Sequence, residues 1–177
     1  MSVIVTGFEP FGGETVNASW EAVKMLKDVQ KVLLPVSFRR GTAIIREIAS
    51  SRPDAVICVG EAGSRNKISV ERVAINWMDA RIPDNDGYQP VDIQCSGPAA
   101  YFSTLPTREM VKKMDNAELS YTAGTYVCNA VFYALMDAAG DAFPAGFIHV
   151  PKTIETATLS EALKTAVRIA MEKCWVM

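Results

Sequence analysis

Short runs of β-branched and other apolar residues alternate along this chain with segments whose apolar residues recur at helical spacing. Five such runs are bounded by glycine, proline or polar clusters, which is typical of β-strands. The predicted strands cover residues 3–6, 32–36, 55–60, 68–76 and 146–150. Strands that alternate with helices predict an α/β protein whose central sheet is covered by helices on both faces.

Three helices can be placed from their capping residues and apolar spacing. Asn17 is a candidate N-cap for the first helix, and a second helix that contains three isoleucines should end before Pro53. Residues 158–161 read Thr-Leu-Ser-Glu, which predicts a capping box at the start of a third helix. The apolar stripe of this third helix would contain Leu159, Leu163, Ala166 and Ala170.

The segment 76–106 has few periodic signals and many turn residues. A segment of that length without regular structure is unusual inside a compact domain, and such loops are usually functional. We therefore expect this loop to contribute to function.

Composition limits the partners and sites that the chain can have. Its 177 residues fit one domain, 1–177, and 18 basic against 20 acidic residues give a net charge of −2, with no electrostatic footprint for nucleic acid. No apolar stretch approaches the roughly 20 residues of a membrane helix. The first six residues lack the features of a signal peptide, so we expect a cytoplasmic protein. A single histidine, His149, excludes a zinc site of the HExxH type.

Four scattered cysteines, Cys58, Cys95, Cys128 and Cys174, form no C-x-x-C pair, and in a reducing compartment we expect free thiols. Cys128 differs from the others because it lies in the first turn of a predicted apolar helix that runs to Ala139. Free amide groups and the helix dipole favour a thiolate there, which predicts a lowered pKa and a reactive thiol. The alternative is a structural cysteine, since cysteine often packs as a small hydrophobe.

His149 lies near the end of a predicted strand, where ligand sites of open α/β sheets collect. It is the one candidate base for a Cys–His mechanism, although it could also be a histidine hydrogen-bonded in the core. Such a mechanism needs a carboxylate to orient the imidazole. Glu61 and Glu71 are both candidates, and either could instead be a structural acid, with Arg72 as the obvious ion-pair partner of Glu71.

Residues 7–13, Gly-Phe-Glu-Pro-Phe-Gly-Gly, form a glycine-rich turn after the first predicted strand. The turn lacks the Lys-Ser/Thr of a P-loop and the G-x-G-x-x-G of a dinucleotide fold. Phe8 and Phe11 suit a flat apolar ligand better than a phosphate, unless their rings pack into the core.

Taken together, these motifs resemble one family, pyroglutamyl peptidase I, the cysteine peptidases that remove an amino-terminal pyroglutamyl residue from peptides. The similar segments are 5–17, 60–76, 79–87, 121–129 and 147–151. The resemblance implies a three-layer α/β/α sandwich around a mixed sheet, related to that of nucleoside phosphorylases. It also implies a homotetramer that uses no metal and no cofactor.

The resemblance assigns roles to individual residues. It implies Cys128 as the nucleophile, His149 as the general base and Glu71, rather than Glu61, as the acid that orients the imidazole. The lactam pocket and its surroundings are implied to include Phe8, Phe11, Asn17, Glu61, Arg81 and Val127. We expect backbone N–H groups at the start of the Cys128 helix to stabilise the oxyanion, with Arg81 contributing from its loop. Glu61 departs from the glutamine expected in many relatives at that position.

Three other functions compete with this one. A phosphorylase-like transferase would need a phosphate site, and no motif in the sequence supplies one. A binding protein could keep the lactam pocket without turnover, and a different cysteine amidase could use the same three residues.

Overall fold

The computed structural model describes residues 2–173, and Cys174 lies outside them. The helices are α1 (Ala18–Lys24), α2 (Phe38–Ser50), α3 (Thr107–Lys113), α4 (Val127–Ala139) and α5 (Thr156–Lys173). The strands are β1 (Val3–Phe8), β2 (Gln30–Leu34), β3 (Ala55–Glu61), β4 (Ile68–Glu71), β5 (Val73–Ile75), β6 (Ala100–Phe102), β7 (Ala117–Ser120) and β8 (Ala145–Val150).

Six strands form the central sheet, in the order β2-β1-β3-β8-β4-β7. Strands β2, β1, β3 and β8 are parallel, whereas β4 runs antiparallel to β8 and parallel to β7. The sheet is therefore mixed, and the prediction of an α/β fold around a mixed sheet is confirmed.

The central strands are buried along their whole length because helices cover both faces of the sheet. Every residue of β1, β3 and β8 is buried, as expected for strands with two covered faces. Residues of α2 and α4 pack with one face of the sheet in one apolar cluster. Residues of α1, α3 and α5 form a second cluster with the opposite face. The protein therefore has the three layers of the predicted sandwich, with the sheet between two layers of helices.

The predicted strand 68–76 is divided at Arg72. Residues up to Glu71 belong to the central sheet, whereas β5 pairs antiparallel with β6 in a separate two-stranded sheet. The segment 76–106 is thus not wholly irregular: it contains β6 and an isolated bridge between Met78 and Ile93. The sequence does not predict these short strand pairings, because the segment is rich in turn residues and the pairings depend on contacts with distant segments.

Two details of the helix predictions need correction. The capping box at 158–161 is wrong, because α5 already begins at Thr156 and the N–H of Leu159 donates to the carbonyl oxygen of Glu155. The predicted apolar stripe of that helix is confirmed, since its four residues are buried. Most residues of helix α4 are buried, as its apolar sequence predicts, but Ala138 is exposed.

Candidate active site

The predicted site residues come from strands that end at one edge of the central sheet. Phe8 is the last residue of β1, Glu61 is the last residue of β3, and His149 is the penultimate residue of β8. These three strands are parallel, so their carboxyl ends meet where ligand sites of α/β sheets form. Ser69 of the antiparallel neighbour β4 lies opposite His149, and Glu71 follows two residues later on the same face.

The carboxylate of Glu71 holds the imidazole of His149. Nδ1 of His149 lies 2.7 Å from Oε1 of Glu71, and the two side chains are 5% and 0% exposed. A neutral imidazole that donates from Nδ1 carries its lone pair on Nε2. The structure therefore brings the histidine together with one of its two candidate carboxylates.

Arg65 binds the same carboxylate oxygen, and nothing in the sequence singled it out. Its Nη1 donates to Oε1 of Glu71 at 2.6 Å, and its Nη2 donates to the carbonyl oxygen of Thr122 at 2.7 Å. The alternative in which Glu71 pairs with Arg72 is not what the structure shows, because Nη1 of Arg72 donates to the carbonyl oxygen of Ser103. Arg72 directly follows the last residue of β4, and neighbouring residues of an extended chain point to opposite sides, so its side chain lies away from this carboxylate.

The second carboxylate, Glu61, is held elsewhere. Its Oε2 accepts a hydrogen bond of 2.7 Å from the backbone N–H of Ala18, and its Oε1 lies 3.4 Å from Nζ of Lys152. Glu61 is therefore separate from the Glu71–His149 pair, although it lines the same cavity as His149.

Cys128 is the second residue of α4, so the prediction that it lies in the first turn is confirmed. Tyr126 is the N-cap, and the first hydrogen bond of the helix runs from the N–H of Ala130 to the carbonyl oxygen of Tyr126. The amide groups of residues 127–129 therefore precede the hydrogen-bonded turns and carry the positive end of the helix dipole.

A glycine makes room for the sulfur beside the sheet. A Cβ atom on Gly60 would lie 2.8 Å from Sγ of Cys128 and 2.7 Å from the ring of Phe147. Gly60 is also the register partner of His149. The thiol therefore lies over the strand pair that carries the histidine, and a larger residue at position 60 would displace it.

The expected low pKa of Cys128 is wrong for the resting site. Burial raises the pKa of the thiol to about 12, and the negative charge of Glu71 adds to this effect. The helix dipole favours the thiolate, but it does not offset the loss of hydration. Cys128 is thus a neutral thiol at rest, and a base must remove its proton before it can attack.

Cys128 and His149 line one cavity of about 120 Å³. The predicted residues Phe8, Phe11, Asn17, Glu61 and Val127 line it as well. Three further lining residues, Val36, Ala123 and Tyr126, were not predicted. The Tyr126 ring lies 6.2 Å from that of Phe11 and 5.4 Å from that of Phe38, so it belongs to an aromatic cluster that long-range packing assembles.

Asn17 and Arg81 differ in how they relate to the cavity. Asn17 is buried and caps α1: its Oδ1 accepts from the N–H and the hydroxyl of Ser19, and its Nδ2 donates to the carbonyl oxygen of Glu9. The predicted cap is confirmed, and most of the hydrogen-bonding capacity of this side chain is used by the fold. Arg81 is exposed and is not among the residues that line the cavity.

A larger cavity, of about 360 Å³, lies along α4 and contains the exposed Cys95. Neither Cys128 nor His149 lines it. The thiol of Cys95 therefore has no imidazole base in its cavity. The smaller cavity, which contains Cys128 and His149, is the better candidate for nucleophilic chemistry.

In residues 2–173, no cluster of three or more His, Cys, Asp or Glu side chains could hold a metal ion. Across the same residues, no helix is both long enough and apolar enough to cross a membrane.

Comparison with known proteins identifies the family. The model of the pyroglutamyl peptidase family matches residues 1–173, almost the whole chain. The chain belongs to the pyroglutamyl peptidase family.

Individual members of this family are similar in both sequence and structure. The chain is 47% identical to the pyrrolidone-carboxylate peptidase of Bacillus subtilis, over 94% of this chain and 87% of the relative. It is 52% identical to the enzyme of that name from Thermosipho melanesiensis, over 85% and 83%. The crystal structure of pyroglutamyl peptidase I from Bacillus amyloliquefaciens superposes with a TM-score of 0.91 at 43% identity and covers 97% of both chains.

Proposed function

We propose that this protein removes the amino-terminal pyroglutamyl residue from peptides, with Cys128 as nucleophile, His149 as general acid and base, and Glu71 as the group that orients the imidazole. One observation carries the proposal: Cys128 and His149 line one small cavity, and Nδ1 of His149 is held 2.7 Å from a buried carboxylate oxygen. The family membership and the names of the relatives support the same reaction.

In the first half of the reaction, Nε2 of His149 takes the proton from Sγ of Cys128. The sulfur then attacks the pyroglutamyl carbonyl carbon, and the carbonyl oxygen becomes an oxyanion. When this intermediate collapses, the C–N bond breaks and the departing amine takes the proton from the imidazolium. A pyroglutamyl thioester on Cys128 and a shortened peptide are the products.

Water completes the cycle. Nε2 of His149 accepts a proton from the water as its oxygen attacks the thioester carbon, and the C–S bond breaks. The sulfur then recovers the proton, which frees pyroglutamate and restores the neutral thiol. Glu71 stays ionised throughout and stabilises the imidazolium that forms in each half.

Because burial raises the thiol pKa to about 12, the nucleophile depends strongly on its base. Within residues 2–173, no hydrogen bond joins Cys128 to His149. Bond lengths at active sites often shorten only when substrate binds, so the proton transfer is expected in the enzyme–substrate complex.

The start of α4 supplies donors for the oxyanion. The N–H groups of residues 127–129 have no acceptor within the helix, and they lie beside the sulfur that attacks. Arg81 is exposed, so its expected contribution would require its loop to approach the bound peptide.

The walls of the cavity suit a small uncharged ring. Phe8 and Phe11 contribute aromatic surface, and Val127 contributes an aliphatic side chain. A free glutamate would lose hydration of its charges there without gaining matched partners, so a cyclised lactam is favoured.

The turn after β1 does not suit a phosphate. Its Glu9 places a carboxylate there, with Oε1 accepting from the backbone N–H of Val36 and from Nδ2 of Asn85. A negative charge at this position disfavours a phosphorylase-like reaction.

The function can be tested with anilides, which release a chromophore when the amide bond is cut. Purified protein is mixed with pyroglutamyl, prolyl and glutamyl anilides, and turnover is measured. The proposal predicts turnover of the pyroglutamyl compound alone. Equal turnover of the glutamyl compound, or no turnover of the pyroglutamyl compound, would contradict it.

A further inference from the structure

The mechanism leaves one carboxylate of the cavity without a role. The Glu61 side chain is only 3% exposed, and it lines the same cavity as Cys128 and His149. The backbone N–H of Ala18 donates to Oε2. Its Oε1 is therefore the oxygen that remains for another partner, and among residues 2–173 the cation that forms an ion pair with it is Lys152, at 3.4 Å.

Lys152 joins three loops around this carboxylate. It follows β8, its Nζ lies 2.8 Å from Oε1 of Glu14 in the loop after β1, and its Cε would lie 3.3 Å from a Cβ on Gly63 in the loop after β3. The hydrogen bond to Glu14 raises the pKa of Lys152, and the charge of Glu61 acts in the same direction. The ammonium therefore stays charged at neutral pH.

We propose that Lys152 determines specificity: it holds and neutralises Glu61, so that Oε1 of Glu61 accepts the lactam N–H of the substrate. This inference rests on the proposed function, because it assigns the substrate ring to the cavity. Lys152 acts through Glu61 and is a positioning residue, not a catalytic one.

The chemistry of the ring and of the cavity carries the inference. A five-membered lactam offers one N–H donor, and a buried carboxylate oxygen gives a strong acceptor for it. A carboxylate buried without a cation is costly, and it would attract a positively charged ring, such as an amino-terminal proline. With Lys152 in place, its ammonium, which the exposed Glu14 shares, offsets the charge of the buried Glu61. The cavity then selects an uncharged ring that can still donate a hydrogen bond.

A double-mutant cycle measures this coupling. We would compare wild type, Lys152→Met, Glu61→Gln and the double variant in hydrolysis of a pyroglutamyl anilide. Lys113→Met is the matched control. The ion pair of Lys113 with Glu109 is 2.8 Å long, like that of Lys152 with Glu14, but it lies on the exposed surface of α3. Circular dichroism verifies that each variant is folded.

The expected result is a rise in KM and not a loss of kcat. Lys152→Met should raise KM about tenfold, with kcat changed by less than about twofold, because Glu71 and His149 are untouched. When Lys152→Met is introduced into the Glu61→Gln variant, KM should change by less than about twofold, because a neutral side chain at position 61 needs no counter-charge. A KM for Lys152→Met equal to that of Lys113→Met would overturn the inference, as would equal effects of Lys152→Met in both backgrounds.

A second readout keeps this inference separate from the proposed function. The lactam 2-pyrrolidone should slow alkylation of Cys128 by iodoacetamide in wild type but not in Lys152→Met, whereas N-methylpyrrolidone, which lacks the N–H, should protect neither. Protection that is equal for both lactams, or equal in both proteins, would overturn the role of Lys152. If wild type releases no chromophore, the proposed function fails, and the alkylation result alone decides on Lys152.

Discussion

Nδ1 of His149 lies 2.7 Å from Oε1 of Glu71, although the two residues are 78 positions apart in the chain. The contact exists because β4 runs antiparallel to β8 and places both side chains on one face of the sheet. It fixes the imidazole so that Nε2 is left for proton transfer.

Replacing Glu71 with glutamine should therefore reduce kcat far more than it changes KM. An amide cannot stabilise the imidazolium, and we expect a loss of about 10²–10⁴-fold in kcat. Hydrolysis of a pyroglutamyl anilide measures the effect, and Glu161→Gln on the exposed face of α5 is the control. A variant that keeps the wild-type kcat would remove Glu71 from the mechanism.

Arg65 should act through the same carboxylate. It donates to Oε1 of Glu71 at 2.6 Å and is itself 24% exposed. Loss of one such charge-assisted hydrogen bond costs about 1.5–3 kcal/mol, so Arg65→Met should lower kcat by about ten- to a hundredfold with little change in KM.

Two further variants separate positioning by Arg65 from general destabilisation. Arg65→Lys keeps the charge and should restore part of kcat. Arg168→Met breaks an ion pair of the same 2.6 Å length on α5 and should leave kcat unchanged. Equal losses in Arg65→Met and Arg168→Met, or no loss in either, would show that Arg65 has no special role.

The raised pKa of Cys128 predicts how its alkylation depends on pH. A thiol with a pKa of about 12 stays protonated at neutral pH, and its thiolate fraction grows with each step upward in pH. In the free enzyme, the iodoacetamide reaction at Cys128 should therefore keep accelerating from about pH 7 to about pH 10 without a plateau. Peptide mapping separates this thiol from the exposed Cys95. A plateau near neutral pH would mean that the thiolate is already formed at rest.

Much of the fold could be predicted because its signals are local. Runs such as 55–60 and 146–150 are apolar throughout, as buried parallel strands require, and Asn17 caps the first helix as its side chain suggests. Strand β6 was not predicted, because it is short and its residues are only partly buried or exposed.

The site was predicted less completely, for a physical reason. Cys128 and His149 stand out in the sequence, since one begins an apolar helix and the other is the only histidine. Arg65 and Tyr126 do not, because their roles depend on contacts made across the folded protein. The pKa of Cys128 could not be read from its helix position, since burial outweighs the dipole.

The central claim is that Cys128 is the nucleophile, and the most direct test is hydrolysis of a pyroglutamyl anilide by Cys128→Ala. Cys58→Ala is the matched control, because Cys58 is a buried thiol of the same sheet region and does not line the cavity. The account predicts no detectable release of the chromophore by Cys128→Ala, with the fold intact, and retained turnover in Cys58→Ala. Wild-type turnover by Cys128→Ala would contradict it.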